Sequence, residues 1–231
     1  EATVGNARVA PGEELELNHV VVQRVPSAPK VTWRGIRYLA EGQSIAVDRE
    51  LKVNENEMVK AKRNLPMDTA LTHPYWLELP STAGMARVAD ASLIGTPENE
   101  AAYAMVYDFV IDGQLLALPV APEQVTRDRV RGELRDTLQV IPPVAVAFAS
   151  QLERFAPGET RQVTVRATAA RDSQQGELSL TAPEGWTTAP TARDFLLPKV
   201  GDQIEVTFAV TAPAITESVK LEVSAMVGGR R

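Results

Sequence analysis

Tyr103–Ala104–Met105–Val106–Tyr107–Asp108–Phe109–Val110–Ile111, followed at once by Asp112–Gly113, is the stretch that decides the fold class. Tyr103, Met105, Tyr107, Phe109 and Ile111 take every second position, with Ala104, Val106, Asp108 and Val110 between them. Successive strand residues face opposite sides of a sheet, so this spacing buries one face and leaves the other toward water. Asp–Gly then tolerates the backbone of a tight turn.

The same period recurs outward in both directions. Leu15, Leu17, His19 and Val21 fall on one face, with Glu16 and Asn18 between them, and Val163, Val165 and Ala167 alternate with Thr164, Arg166 and Thr168. Ile204, Val206, Phe208 and Val210 follow the pattern, as do Val219, Leu221, Val223 and Ala225. Turn signals punctuate these runs at Pro11–Gly12, Pro157–Gly158, Glu184–Gly185 and Gly201–Asp202. Many short alternating strands with such turns predict an all-β protein built of two consecutive antiparallel, immunoglobulin-like β-sandwich domains. Glu50–Asn64 has charge and helix formers but no clear apolar stripe, so an irregular excursion or short helix is expected near 50–66.

A weak internal repeat supports two domains. Val9–Ala10–Pro11–Gly12–Glu13 and Phe155–Ala156–Pro157–Gly158–Glu159 each precede an alternating run. Arg127–Asp136 is dense in charge, and the semi-rigid Pro142–Pro143 follows. This places the first domain at 1–130 and the second at 131–231.

Composition narrows the functions. At 231 residues the chain can bury a sizeable core unaided. Thirty acids outnumber 24 bases, which speaks against nucleic acid as a partner. The basic run Lys60–Arg63 lacks interleaved aromatics and reads as a solvated segment. There is no cysteine, so disulfides and thiolate chemistry are excluded. No apolar run approaches the ~20 residues of a membrane helix. The chain opens at Glu1 with no signal peptide, as a processed or excised piece would.

Catalytic and metal-ligating residues are scarce. The only histidines, His19 and His73, lie far apart in sequence and do not supply a catalytic zinc site. His19 falls on an apolar strand face and is expected to be a hydrogen-bonded core or edge histidine. No Gly-x-Ser-x-Gly elbow, phosphate-binding loop or dinucleotide fingerprint occurs. No catalytic residue, cofactor or metal is therefore assigned.

The aromatics carry the binding hypotheses. In His73–Pro74–Tyr75–Trp76–Leu77, Tyr75 and Trp76 either stack on a sugar or partner surface or fill the core. If the segment is extended, only one of the pair can be core. Trp76 is then the expected core residue and Tyr75 the surface contact. Trp186, after the Glu184–Gly185 turn, is expected to fold back over a sandwich end. Trp33 stays open between core and ligand contact, because Arg34 and Arg37 beside it would suit an anion.

Five segments in order carry a resemblance: Pro74–Leu77, Ile94–Glu98, Val130–Leu134, Pro142–Val144 and Pro183–Trp186. The series resembles the C-terminal region of large exported bacterial deacetylases of the PIG-L/LmbE-like family, where Ig-like sandwiches follow a catalytic α/β domain. The second domain is similar to the sandwich of α-galactosidase-associated proteins, where a strand ends in a Pro–x–Gly–Trp turn. The family's His–Pro–Asp–Asp metal and base motif is absent, since Tyr75–Trp76 follow His73–Pro74. The resemblance thus implies a non-catalytic accessory region of an extracytoplasmic N-acetylglucosaminyl deacetylase. It would pack on or position an upstream catalytic domain of the same polypeptide. The alternatives are an independent carbohydrate-binding module with glycan as partner, and a structural cell-surface interaction protein.

Overall fold

The computed structural model describes residues 1–26 and 29–229. The chain is all-β, with helical character among the described residues limited to two single 3₁₀ turns. It divides into two compact units, Glu1–Ile141 and Pro142–Arg231.

The described residues of the first unit form thirteen strands: β1 (Ala2–Val4), β2 (Arg8–Val9), β3 (Glu14–Val22), β4 (Val31–Tyr38), β5 (Gln43–Glu50), β6 (Asn56–Asn64), β7 (Leu79–Thr82), β8 (Met85–Arg87), β9 (Met105–Ile111), β10 (Gln114–Val120), β11 (Pro122–Asp128), β12 (Gly132–Thr137) and β13 (Gln139–Val140). One sheet runs β12-β11-β1-β3-β6 and the other β10-β9-β4-β5. Alternate residues of both sheets meet in one core: Leu15 and Leu17 from β3, Trp33, Ile36 and Tyr38 from β4, Met105, Tyr107 and Phe109 from β9. Asp112 and Gly113 both take positive φ between β9 and β10, the turn that matches strand twist. Two short pairings, β1 with β11 and β2 with β13, are parallel.

The second unit contains β14 (Val144–Phe148), β15 (Thr160–Ala169), β16 (Gln174–Thr181), β17 (Thr187–Ala189), β18 (Ala192–Leu197), β19 (Gln203–Thr211) and β20 (Glu222–Val227). Its sheets are β14-β15-β19-β17 and β18-β16-β20. Val163, Val165, Val206, Phe208 and Val210 pack against Leu178, Leu180, Phe195 and Leu197 between them.

The internal repeat is a repeat of structure. Gly12 and Gly158 both have positive φ, +85° and +74°. Glu13 N–H donates to Ala10 O at 3.1 Å, and Glu159 N–H to Ala156 O at 2.9 Å. Each Glu also reaches back: Glu13 Oε2 accepts from Ala10 N–H, and Glu159 Oε2 from Ala156 N–H. The shared tetrapeptide Ala–Pro–Gly–Glu therefore closes the same turn at the mouth of β3 and of β15.

Two expectations change. Residues 56–64 form a full strand, β6, paired with β3 from Asn64 opposite Glu14 to Asn56 opposite Val22. Its inward positions are Glu57, Val59, Ala61 and Arg63, so a mixed-polarity face hides the period. The irregular excursion lies instead between β6 and β9. The division between units also falls at Ile141/Pro142, beyond residue 130. The charged run is not a linker but the hairpin β11–β12, with Glu123 opposite Thr137 and Asp128 opposite Gly132. Asp128 Oδ1 accepts from the backbone of Val130 and Arg131 at its turn, and Arg135 pairs with Glu1, Glu123 and Glu133.

Candidate functional site

The connection from β6 to β9 builds one wall of a cleft of about 620 Å³ in the first unit. Pro74 opens it at φ −59°, the torsion its ring imposes, and Tyr75–Leu77 follow as a 3₁₀ turn. Asn99 clamps this turn from across the connection. Its Oδ1 accepts from Tyr75 N–H at 3.0 Å, and its Nδ2 donates to His73 O at 2.8 Å. The Tyr75 hydroxyl donates to Thr96 O at 3.2 Å. Below, Thr72 exchanges two hydrogen bonds with Val140, N–H to O at 2.8 Å and Oγ1 from N–H at 2.9 Å. The wall is thereby held to a core strand.

This arrangement reverses the expected roles of the aromatic pair. Tyr75 is buried, whereas Trp76 is 37% exposed and lines the cleft. The reason is local: a 3₁₀ turn does not place successive residues on opposite faces as a strand does. The two rings meet edge-on at 4.9 Å and 87°. Trp76 Nε1 has no hydrogen-bond partner among the described residues. The polar lining includes His73, Glu98, Asn99, Glu100, Thr137 and Gln139. His73 Nδ1–H donates to Leu71 O at 3.1 Å, which leaves Nε2 as an acceptor. The clamp residue Asn99 and Glu100 were not singled out from sequence, and Glu98 only as the end of the Ile94–Glu98 segment, with no site role. The available signal was the polar run Pro97–Glu98–Asn99–Glu100, which breaks the alternation just before β9.

Trp33 does not join this site. It is fully buried in the first core, its Nε1–H donates to Gly35 O at 3.1 Å, and its ring lies 5.4 Å from that of Tyr107. Nor is an anion site formed beside it. Arg34 pairs with Asp48 at 2.8 Å, and Arg37 grips Asp108 with Nε and Nη2 at 2.6 and 2.8 Å. Both guanidinium groups are already neutralised by carboxylates.

His19 lies in the core as a satisfied histidine. Tyr107 OH donates to Glu1 O at 3.0 Å, so it accepts from His19 Nδ1–H at 2.8 Å. Nε2 then accepts from Tyr38 OH at 2.9 Å. Burial of the ring is the main cause that pushes its pKa down to about 4. Burial likewise pushes the Tyr107 phenol well above its ordinary range. Arg63 sits over the Tyr38 ring at 4.5 Å, and Tyr103 OH donates to Glu41. With no exposed member at its histidine, this network stiffens the core and offers nothing to a ligand.

In the second unit Trp186 is half-buried against the core, as expected. It meets Phe155 edge-on at 5.1 Å and 84°, and its Nε1–H donates to Glu217 Oε1 at 2.7 Å. It borders a trench of about 500 Å³ whose rim carries the exposed Leu152 and Ile215. Among the described residues, no group of three or more His, Asp or Glu side chains is placed to hold a metal ion.

Residues 155–227 match the NPCBM-associated, NEW3 domain of alpha-galactosidase. The matched segment lies within the second unit and includes Pro183–Glu184–Gly185–Trp186. The second domain is thus similar to an alpha-galactosidase accessory sandwich, as its Pro–x–Gly–Trp turn suggested. No curated protein matches the chain.

Proposed function

We propose that this chain is a non-catalytic accessory region of a larger bacterial enzyme that acts on glycans, and that its first unit contacts glycan through the Trp76 cleft. The observation that carries the reading is the match of residues 155–227 to a domain of alpha-galactosidase, a glycan-acting enzyme. The cleft supplies the chemistry. The C–H face of a pyranose ring packs on an indole, while carboxylate, amide and imidazole acceptors take its hydroxyl protons. Trp76 offers an indole that no hydrogen bond engages among the described residues, and His73 Nε2, Glu98 and Glu100 offer acceptors around it.

The resemblance of the ordered motif series supports, as the parent, an exported LmbE-like N-acetylglucosaminyl deacetylase with its catalytic domain upstream and the whole protein extracytoplasmic. The chain would then hold substrate near that domain or brace it. An independent carbohydrate-binding module is the second reading, favoured by the exposure of Trp76. Retention on immobilised bacterial polysaccharides, with the chain and its Trp76→Ala variant side by side, tests the glycan contact. The expected outcome is retention of the chain and loss in the variant, with no turnover of N-acetylglucosamine conjugates by either. Turnover that vanishes in a His73→Ala variant would assign the chain a catalytic role instead.

A further inference from the structure

Resting on the glycan-contact reading, we infer that the Trp76 cleft selects a cationic saccharide, one whose sugar carries a free ammonium group.

The cleft is large enough for a small ligand, at about 620 Å³. An exposed indole supplies its apolar wall. Among the described residues, the charged side chains of its lining are Glu98 and Glu100, and neither Lys nor Arg contributes. Several other surface carboxylates of the molecule are answered by cations. Lys62 lies between Glu14 and Glu16, Arg135 serves Glu1, Glu123 and Glu133, and Arg166 holds Glu205. Glu98 and Glu100 have no ion pair or hydrogen bond among the described residues. His73 adds an acceptor through Nε2.

The complement of this lining is a ring with an apolar face, hydroxyl donors and one positive charge. A neutral sugar would cover the indole and donate hydroxyl protons to the carboxylates, but leave their two negative charges uncompensated. An ammonium group gains from the carboxylates and from the indole face, which attracts cations through its quadrupole. The selectivity is therefore electrostatic and falls with added salt.

Calorimetric titration of the full chain with a glucosamine tetramer, the N-acetylglucosamine tetramer and tetra-lysine tests it. The glucosamine tetramer should bind several-fold more tightly than its acetylated counterpart, with the gap narrowing at 0.5 M salt. In the Glu98→Gln/Glu100→Gln double variant the gap should close, a loss of roughly fivefold to tenfold for the cationic sugar. Trp76→Ala should weaken both sugars, and Trp76→Phe should restore part of the loss. Equal binding of both sugars, unaffected by the double substitution, would overturn the ammonium preference while leaving the glycan contact in place. Tetra-lysine binding as tightly as the amino sugar would overturn it in favour of a peptide cation. Binding of no sugar at all would remove the glycan contact and the preference together.

Discussion

Trp76 and Trp186 begin from near-identical surroundings and end in different roles. Each meets a neighbouring ring edge-on, Tyr75 at 4.9 Å and Phe155 at 5.1 Å. Trp186 is packed on the hydrophobic core of its unit and spends its N–H on Glu217. Among the described residues Trp76 belongs to no core cluster, keeps its N–H unspent and lines a cleft with two carboxylates that no cation answers. An aromatic neighbour does not decide the role of a tryptophan. What decides it is whether the indole's face and N–H are committed inside the fold. In the first unit the commitment falls on Tyr75, whose N–H and O–H are both bonded, so Trp76 is held out toward the cleft.

The largest effect expected to sharpen this contrast is Trp186→Ala. Removing a packed indole leaves a cavity, at a cost of about 3 kcal/mol for a partly buried site. The same change at Trp76 should cost less than ~1 kcal/mol. Denaturant-dependent amide exchange separates the units, with Val206–Val210 reporting on the second and Met105–Phe109 on the first. A Trp76→Ala loss as large as that of Trp186→Ala would make both tryptophans structural.

Acid distinguishes the units next. Both histidines lie in the first unit. His19 has a folded pKa of about 4 against an unfolded value near 6.5. Between those values the unfolded chain binds a proton that the folded core refuses. Stability of the first unit therefore falls as pH drops from 6.5 to 4, by roughly 3 kcal/mol at most, and this contribution levels off below. His19→Gln, which keeps one donor and one acceptor, should flatten that component of the pH dependence in the first unit and leave the second unchanged. An identical pH slope in variant and parent would show that His19 is not held neutral.

A smaller effect is expected at Asn99. Asn99→Ala removes two hydrogen bonds to the Pro74 turn, worth about 1–2 kcal/mol together. The loss should appear as faster amide exchange of Tyr75–Leu77 and weaker sugar binding, with the core of the first unit still protected. Unchanged exchange at Tyr75 would place the clamp elsewhere.

Much of this fold was legible because four strands that pair on both sides also alternate cleanly. β3, β9, β15 and β19 could be read directly, and the Pro–Gly–Glu repeat marked equivalent turns. β6 was hidden because its inward face mixes Val59 and Ala61 with Glu57 and Arg63. The Arg63 cation rests over Tyr38, an interaction that polarity patterns do not reveal. The charged hairpin β11–β12 looked like a linker because its charges answer one another across an exposed sheet edge. The cleft was half legible. His73–Trp76 stood out, but the choice between Tyr75 and Trp76 depends on a 3₁₀ turn. That turn is fixed by Asn99, more than twenty residues away in sequence. Trp33 could not be assigned from its neighbours, since Arg34 and Arg37 point to an anion only until Asp48 and Asp108 are seen beside them.

The three indole N–H groups provide the most direct test of the central claim, because each gives its own signal in a ¹⁵N-resolved NMR spectrum. During titration with the glucosamine tetramer, the Trp76 indole signal should shift progressively. Those of Trp33, bonded to Gly35 in the core, and Trp186, bonded to Glu217, should stay in place. A moving Trp186 signal with Trp76 fixed would contradict the account and transfer the glycan contact to the second unit.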